Sequence, residues 1–125
     1  MHENEISFGI RGAIFEVYNA LGPGLLESIY EAALVKELKS RGINVVRQKP
    51  IPVFYKGEEL GMGFRSDLFV EDKVIVEIKS VEQLHKVFFK ILLSYLRLSD
   101  IKLGILVNFN VDKIEDGMHR MVNNL

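Results

Sequence analysis

The sequence contains no cysteine. That removes thiol nucleophiles, zinc ribbons and disulfide scaffolds together, and it suits a reducing cytosol without deciding the compartment. Charge of one sign is also lacking: sixteen basic side chains stand against seventeen acidic ones, a formal net charge of −1. A globally basic nucleic-acid coat is thereby excluded, whereas a local basic groove is not. No apolar run approaches the roughly 18 residues of a membrane span, and the opening residues MHENEISFGIRG show no basic-then-apolar signal pattern. The expectation is a soluble cytoplasmic protein with no membrane partner. Repeats and low-complexity segments are absent, and His2, His85 and His119 stand too far apart for a local metal-ligand motif, so they read as surface residues.

Apolar material, by contrast, is plentiful. With 125 residues, 48% of them hydrophobic, the chain can form one core without disulfides or a structural metal, and a single domain over residues 1–125 is expected.

Ile6, Ile10, Ala13, Ile14, Val17 and Leu21 recur at helical spacing, so an amphipathic helix is predicted over residues 6–21, ended by Gly22-Pro23-Gly24. These glycines do not cradle a phosphate, because the lysine and hydroxyl of a P-loop are missing. A second helix is predicted over 25–41, buried through Leu26, Ile29, Ala33 and Leu34 and capped by Gly42. Glu27, in its first turn, reads most simply as a helix-dipole residue worth about 0.3–1 kcal/mol. Residues 43–55 alternate like a strand, but Pro50 and Pro52 lack ladder donors, which predicts an edge position or two short pieces around a bend. A turn at residues 56–59 leads to a strand over 60–70, and residues 74–79 complete a meander.

Residues 83–98 predict a third helix with Leu84, Val87, Phe88, Ile91, Leu92, Tyr95 and Leu96 toward the sheet, and with Lys86, Lys90 and Arg97 as a basic stripe on its outer flank. Residues 102–109 follow as a buried strand, parallel to 74–79 because a crossover helix precedes it. The tail from Asn110 reads as a short helix or extended arm carrying His119 and Arg120. The whole is an α/β arrangement with a mixed sheet of about four strands flanked by helices.

The stretch FRSDLFVEDKVIVEIKS, residues 64–80, concentrates the chemistry. The run from Val74 to Ile78 is apolar enough to be covered on both faces, yet it carries Glu77 and leads into Lys79. An unpaired buried charge costs several kcal/mol, so these groups need a partner, a metal or an opening to water. Period-two alternation points Glu77 and Lys79 the same way, flanking the carbonyl of Ile78. A loop of residues 71–73 pairs Val70 with Val74 and sets Asp67 opposite Glu77; a loop of residues 71–72 sends the two carboxylates to opposite faces. In the first register, two carboxylates and a carbonyl oxygen form a hard-oxygen site suited to Mg²⁺ or Mn²⁺. In the second, the charges form a surface ion-pair cluster of a protein–protein interaction domain.

The element order, with Asp67 and then Glu77-Ile78-Lys79 on adjacent strands, resembles the PD-(D/E)XK nuclease superfamily. Gly24-Leu25-Leu26-Glu27-Ser28-Ile29-Tyr30 further resembles the signature of the GxxExxY protein family within it. Arg65-Ser66-Asp67-Leu68, Leu92-Leu93-Ser94-Tyr95-Leu96 and Gly104-Ile105-Leu106-Val107-Asn108-Phe109 extend the likeness over nearly the whole chain.

The resemblance implies a restriction-endonuclease-like core and a divalent-metal-dependent nuclease. Asp67, Glu77 and the Ile78 carbonyl then bind Mg²⁺ or Mn²⁺, Glu27 assists directly or through water, and Lys79 is the catalytic lysine. Tyr95 supports the site, and Arg65, Lys86, Lys90 and Arg120 are candidates for contact with DNA or RNA. One position departs: relatives usually carry Gln four residues before the tyrosine, where this chain has Ile91. Loss of such a supporting hydrogen bond weakens metal affinity or rate by about 10–100-fold. The alternative is therefore a nuclease-fold binding or regulatory module with weakened or absent turnover. The proline-bearing edge strand and Phe88-Phe89 leave a homodimer open.

Overall fold

A computed structural model describes residues 1–125. Helix α1 (Glu3–Leu21) and helix α2 (Glu27–Ser40) precede strands β1 (Val45–Tyr55), β2 (Glu58–Val70) and β3 (Val74–Lys79). Helix α3 (Lys86–Ser99) then leads to β4 (Leu103–Asn108), and a 3-10 turn at Ile114–Gly117 leads to β5 (Met118–Val122). The strands lie side by side in chain order, antiparallel except for the parallel pair of β3 with β4. No helix is long and apolar enough to cross a membrane.

The sheet therefore has five strands rather than about four. The added strand comes from the tail, where Met118 pairs with Val107 and Val122 with Leu103. Every residue of β4 is buried, so the backbone groups along its outer edge need a partner, and β5 supplies it despite its mixed composition.

Alternation divides the core into two layers. Leu68, Val70, Val74, Val76 and Ile78 face α1 and α2, whose Ile6, Ile10, Ile14, Tyr30, Leu34 and Leu38 are all fully buried. Phe69, Ile75 and Leu106 face α3 and meet Leu92 and Leu96. Gly104 on β4 lets α3 settle close, since a Cβ there would stand 3.0 Å from Leu92 Cδ1.

Several boundaries and faces differ from expectation. Helix α2 starts at Glu27, which leaves Leu26 outside the helix and 71% exposed; Ile29 is exposed too, and the buried stripe runs through Tyr30, Glu31, Leu34, Val35 and Leu38. Helix α3 starts at Lys86, and Val87 and Ile91 are exposed because only Leu92 and Leu96 reach full burial. The first hairpin closes in two residues, Lys56 (φ 51°) and Gly57 (φ 80°), with Tyr55 opposite Glu58. Strand β1 takes the edge position as one strand, and its irregularity is a register shift between Pro52 and Phe54.

Candidate active site

The β2–β3 turn decides where the carboxylates go. Val70 pairs with Val74 and Leu68 with Val76, across a loop in which Glu71 (φ 52°) and Asp72 (φ 55°) are left-handed. The next facing positions are Asp67 and Glu77, so the register is the one that brings the two acids together. Regular pairing stops there, and the side chain of Asp67 replaces it: Oδ2 accepts the N–H of Ile78 at 2.8 Å. The N–H and C=O of a strand residue point to the same side, so the Ile78 carbonyl also faces Asp67. The Lys79 carbonyl points the other way and accepts the Phe109 N–H at 2.9 Å.

Glu77 and Lys79 lie on the α3 face, in a cavity of about 150 Å³ lined by Arg65, Phe88, Ile91 and Tyr95 as well. Burial and the facing Asp67 push the Glu77 carboxyl up to about 9, against a smaller opposing pull from Lys79. Its Oε1 is buried with no hydrogen-bond partner. The Lys79 ammonium sits 4.6 Å from the centre of the Phe88 ring, which holds it over the cavity. Tyr95 stacks on Phe64 at 3.7 Å between ring centres. Burial, Glu77 and Asp67 raise the pKa of its hydroxyl, and the side chain lines the same cavity as Glu77.

Asp67 also borders a second cavity, about 160 Å³, shared with Glu27, Glu31, Gln48 and Ile78. Glu27 is the first residue of α2, and its Oε2 accepts the Ser80 N–H at 3.3 Å, just beyond β3. The spacing of Gly24, Glu27 and Tyr30 has a local cause. Gly24 turns the chain at φ 92°, and the Tyr30 hydroxyl closes that turn by donating to the Gly22 carbonyl at 2.5 Å and accepting the Leu25 N–H at 3.1 Å. Tyr30 is itself fixed by stacking on Phe109 at 4.2 Å. Ser80 Oγ donates to the Leu25 carbonyl at 2.6 Å, and this ties the end of β3 to the start of α2. A larger open groove of about 680 Å³ runs past Glu27 and is walled by Leu26, Ile29, Ser80 and Asn110.

Of the residues singled out from sequence, Glu77, Lys79, Arg65 and Tyr95 line one cavity, while Asp67 and Glu27 line the other. Lys86 and Lys90 do not join them. At about 100° per residue they project from the side of α3 opposite Phe88, Ile91 and Tyr95. Arg120 faces α1, where it donates to Asn4 Oδ1. Ile91 does not pack in the core; it is 40% exposed at the rim of the cavity. Glu31 and Gln48 were not singled out. Glu31 had a signal, its i, i+4 spacing from Glu27, whereas Gln48 had none.

The donor set fits a hard divalent cation. An orphaned Glu77 oxygen near a second carboxylate, on the strand edge toward which the Ile78 carbonyl points, is an arrangement that a cation stabilises. No three acidic or histidine side chains approach closely enough to form a protein-only cage. Mg²⁺ commonly keeps several waters and uses one or two carboxylates.

A five-stranded mixed sheet between helices, with acids and a lysine near the ends of β2 and β3, defines an α/β fold with a polar site at one end of its sheet. The family model described as the PD-(D/E)XK nuclease superfamily matches residues 4–121, so the chain belongs to that superfamily and has its restriction-endonuclease-like fold. A comparison with curated proteins finds no match.

Proposed function

We propose that the protein is a divalent-metal-dependent nuclease, a single domain of the GxxExxY branch that hydrolyses phosphodiester bonds in DNA or RNA. The observation that carries this reading is the facing of Asp67 and Glu77, with an unpartnered Glu77 oxygen beside Lys79. Asp67, Glu77 and the Ile78 carbonyl would hold Mg²⁺ or Mn²⁺, with Glu27 assisting directly or through water, and the bound cation would supply Lewis-acid chemistry toward a water and the phosphate. Lys79 aligns the attacking water and offsets the negative charge that develops as its oxygen bonds to phosphorus and the leaving sugar oxygen departs. Arg65, on the cavity wall, contacts the phosphate. The groove past Glu27 offers the polymer a path to the acids.

A second reading rests on Ile91. An apolar side chain at the cavity rim cannot donate a hydrogen bond to the acids, which favours a module that binds metal and nucleic acid with weak or no turnover.

The test is cleavage of a panel of labelled single- and double-stranded DNA and RNA with Mg²⁺ or Mn²⁺, run beside Glu77→Ala and Lys79→Ala. The nuclease reading expects cleavage that each substitution lowers by about 10³-fold or more, as loss of a main transition-state contact does. Metal and nucleic-acid binding without any cleavage supports the module, and absence of metal binding removes both.

A further inference from the structure

Gln48 is the one residue of β1 with a positive φ, 49°. It stands between the Arg47–Leu68 and Lys49–Ser66 pairs, directly across from Asp67. A left-handed conformation costs a residue other than glycine about 1–2 kcal/mol. The strain turns the side chain along the sheet toward α2, where its amide Nε2 donates to Glu31 Oε1 at 2.7 Å and to Asp67 Oδ1 at 3.4 Å.

Glu31 is the anchor of this contact. It is only 7% exposed, and its other oxygen accepts from Arg47 Nη2 at 3.0 Å, so the carboxylate is engaged on both sides. Asp67 is likewise engaged at both oxygens, by Gln48 and by the Ile78 N–H. The Gln48 backbone is held in turn, because its carbonyl accepts from Arg65 Nη1 at 3.1 Å. One amide thus spans the two acids that fix the distance between α2 and β2. Glu31 lies one helical turn after Glu27, so the same contact sets where Glu27 stands relative to Asp67.

We infer that Gln48 is a positioning residue: it bridges Glu31 to Asp67 and thereby holds the Asp67 carboxylate, and Glu27 with it, in the orientation that binds the divalent cation. Asp67 otherwise turns about its terminal torsion, which is broad for a carboxylate. Loss of a group that orients a metal ligand typically weakens metal affinity or rate by about 10–100-fold. The inference rests on the nuclease reading of Asp67.

The experiment compares wild type, Gln48→Gly and Gln48→Glu by Mn²⁺ titration calorimetry, thermal melting and steady-state cleavage. Glycine accepts the left-handed backbone without penalty, so Gln48→Gly removes the amide while keeping or raising the melting temperature. Gln48→Glu keeps the shape but replaces the donor with a third carboxylate oxygen. The expected result is a Mn²⁺ affinity about 10-fold or more weaker in both variants, with kcat reduced and KM for nucleic acid unchanged. A structural role alone lowers the melting temperature and leaves affinity intact. If wild type binds Mn²⁺ and Gln48→Gly binds it equally well, the inference is overturned and the nuclease reading stands. If wild type binds no Mn²⁺, both fall together.

Discussion

The two faces of the sheet are built unequally. On one side α1 and α2 bury a cluster of 19 residues; on the other α3 buries six. The thick face is one continuous apolar cluster from Ile6 to Ile114, and it carries most of the stability of the fold. The thin face is apolar only at Phe69, Ile75, Leu92, Leu96 and their neighbours; farther along the same strand rows it gives way to Asp67, Glu77 and Lys79. A charge buried on the thick face would cost several kcal/mol without partners such as the Arg47 and Gln48 that Glu31 has, whereas the end of the thin face opens at the exposed Ile91. The site lies where the core runs out.

That contrast can be broken by deletion on each side. Leu34→Ala, deep under α2, should lower unfolding stability by about 2–5 kcal/mol in chemical denaturation while the folded fraction keeps its metal affinity and cleavage rate. Leu92→Ala, which opens the wall of the Glu77 cavity, should lower stability and cleavage together. Equal behaviour of the two variants in cleavage assays would erase the distinction between the faces.

A pH-dependent effect follows from Glu77. Its carboxyl is raised from 4.5 to about 9 in the folded protein, so without metal the folded state holds a proton that the unfolded chain releases. This contribution to stability is fully present below about pH 4.5, declines as pH rises, and is lost as pH passes about 9. In chelator, the melting temperature should fall across that window, and Glu77→Gln should flatten the fall. Because a cation takes the ionised carboxylate, Mn²⁺ affinity should rise with pH over the same range. A wild-type melting temperature independent of pH, identical to that of Glu77→Gln, would contradict the burial argument.

The smallest expected change sharpens the site itself. Ile91→Gln places an amide at the cavity rim, within the α3 face that carries Tyr95, and should tighten metal binding or raise turnover by about 10-fold. Stability should hardly move, since Ile91 is already exposed. If cleavage appears only in this variant, Ile91 is what separates a binding module from an enzyme.

Much of this was legible in the chain. The run from Val74 to Ile78 declares a central strand, and its Glu77 and Lys79 declare that something must meet them. The parallel pairing of β3 with β4 follows from the helix between them. What was not legible turned on rotation and closure. The burial of Glu31 in place of Ile29 reflects a start of α2 at Glu27, set by the Tyr30 hydroxyl closing the preceding turn. Strand β5 was hidden because an edge strand needs only backbone groups to pair, and its side chains carry no strong pattern.

Local patterning declares the three helices, the first four strands and the residue types that periodicity requires: the apolar stripes, the stops at Gly22–Gly24 and Gly42, and an Asp followed ten residues later by Glu-x-Lys. Contacts between distant segments set the pairing of Val70 with Val74 and the left-handed turn of Gln48 across from Asp67. The physical reason is range. Spacing along a strand or helix is a local property, whereas register, helix rotation and the meeting of Glu31 with Gln48 arise from contacts between segments far apart in the chain.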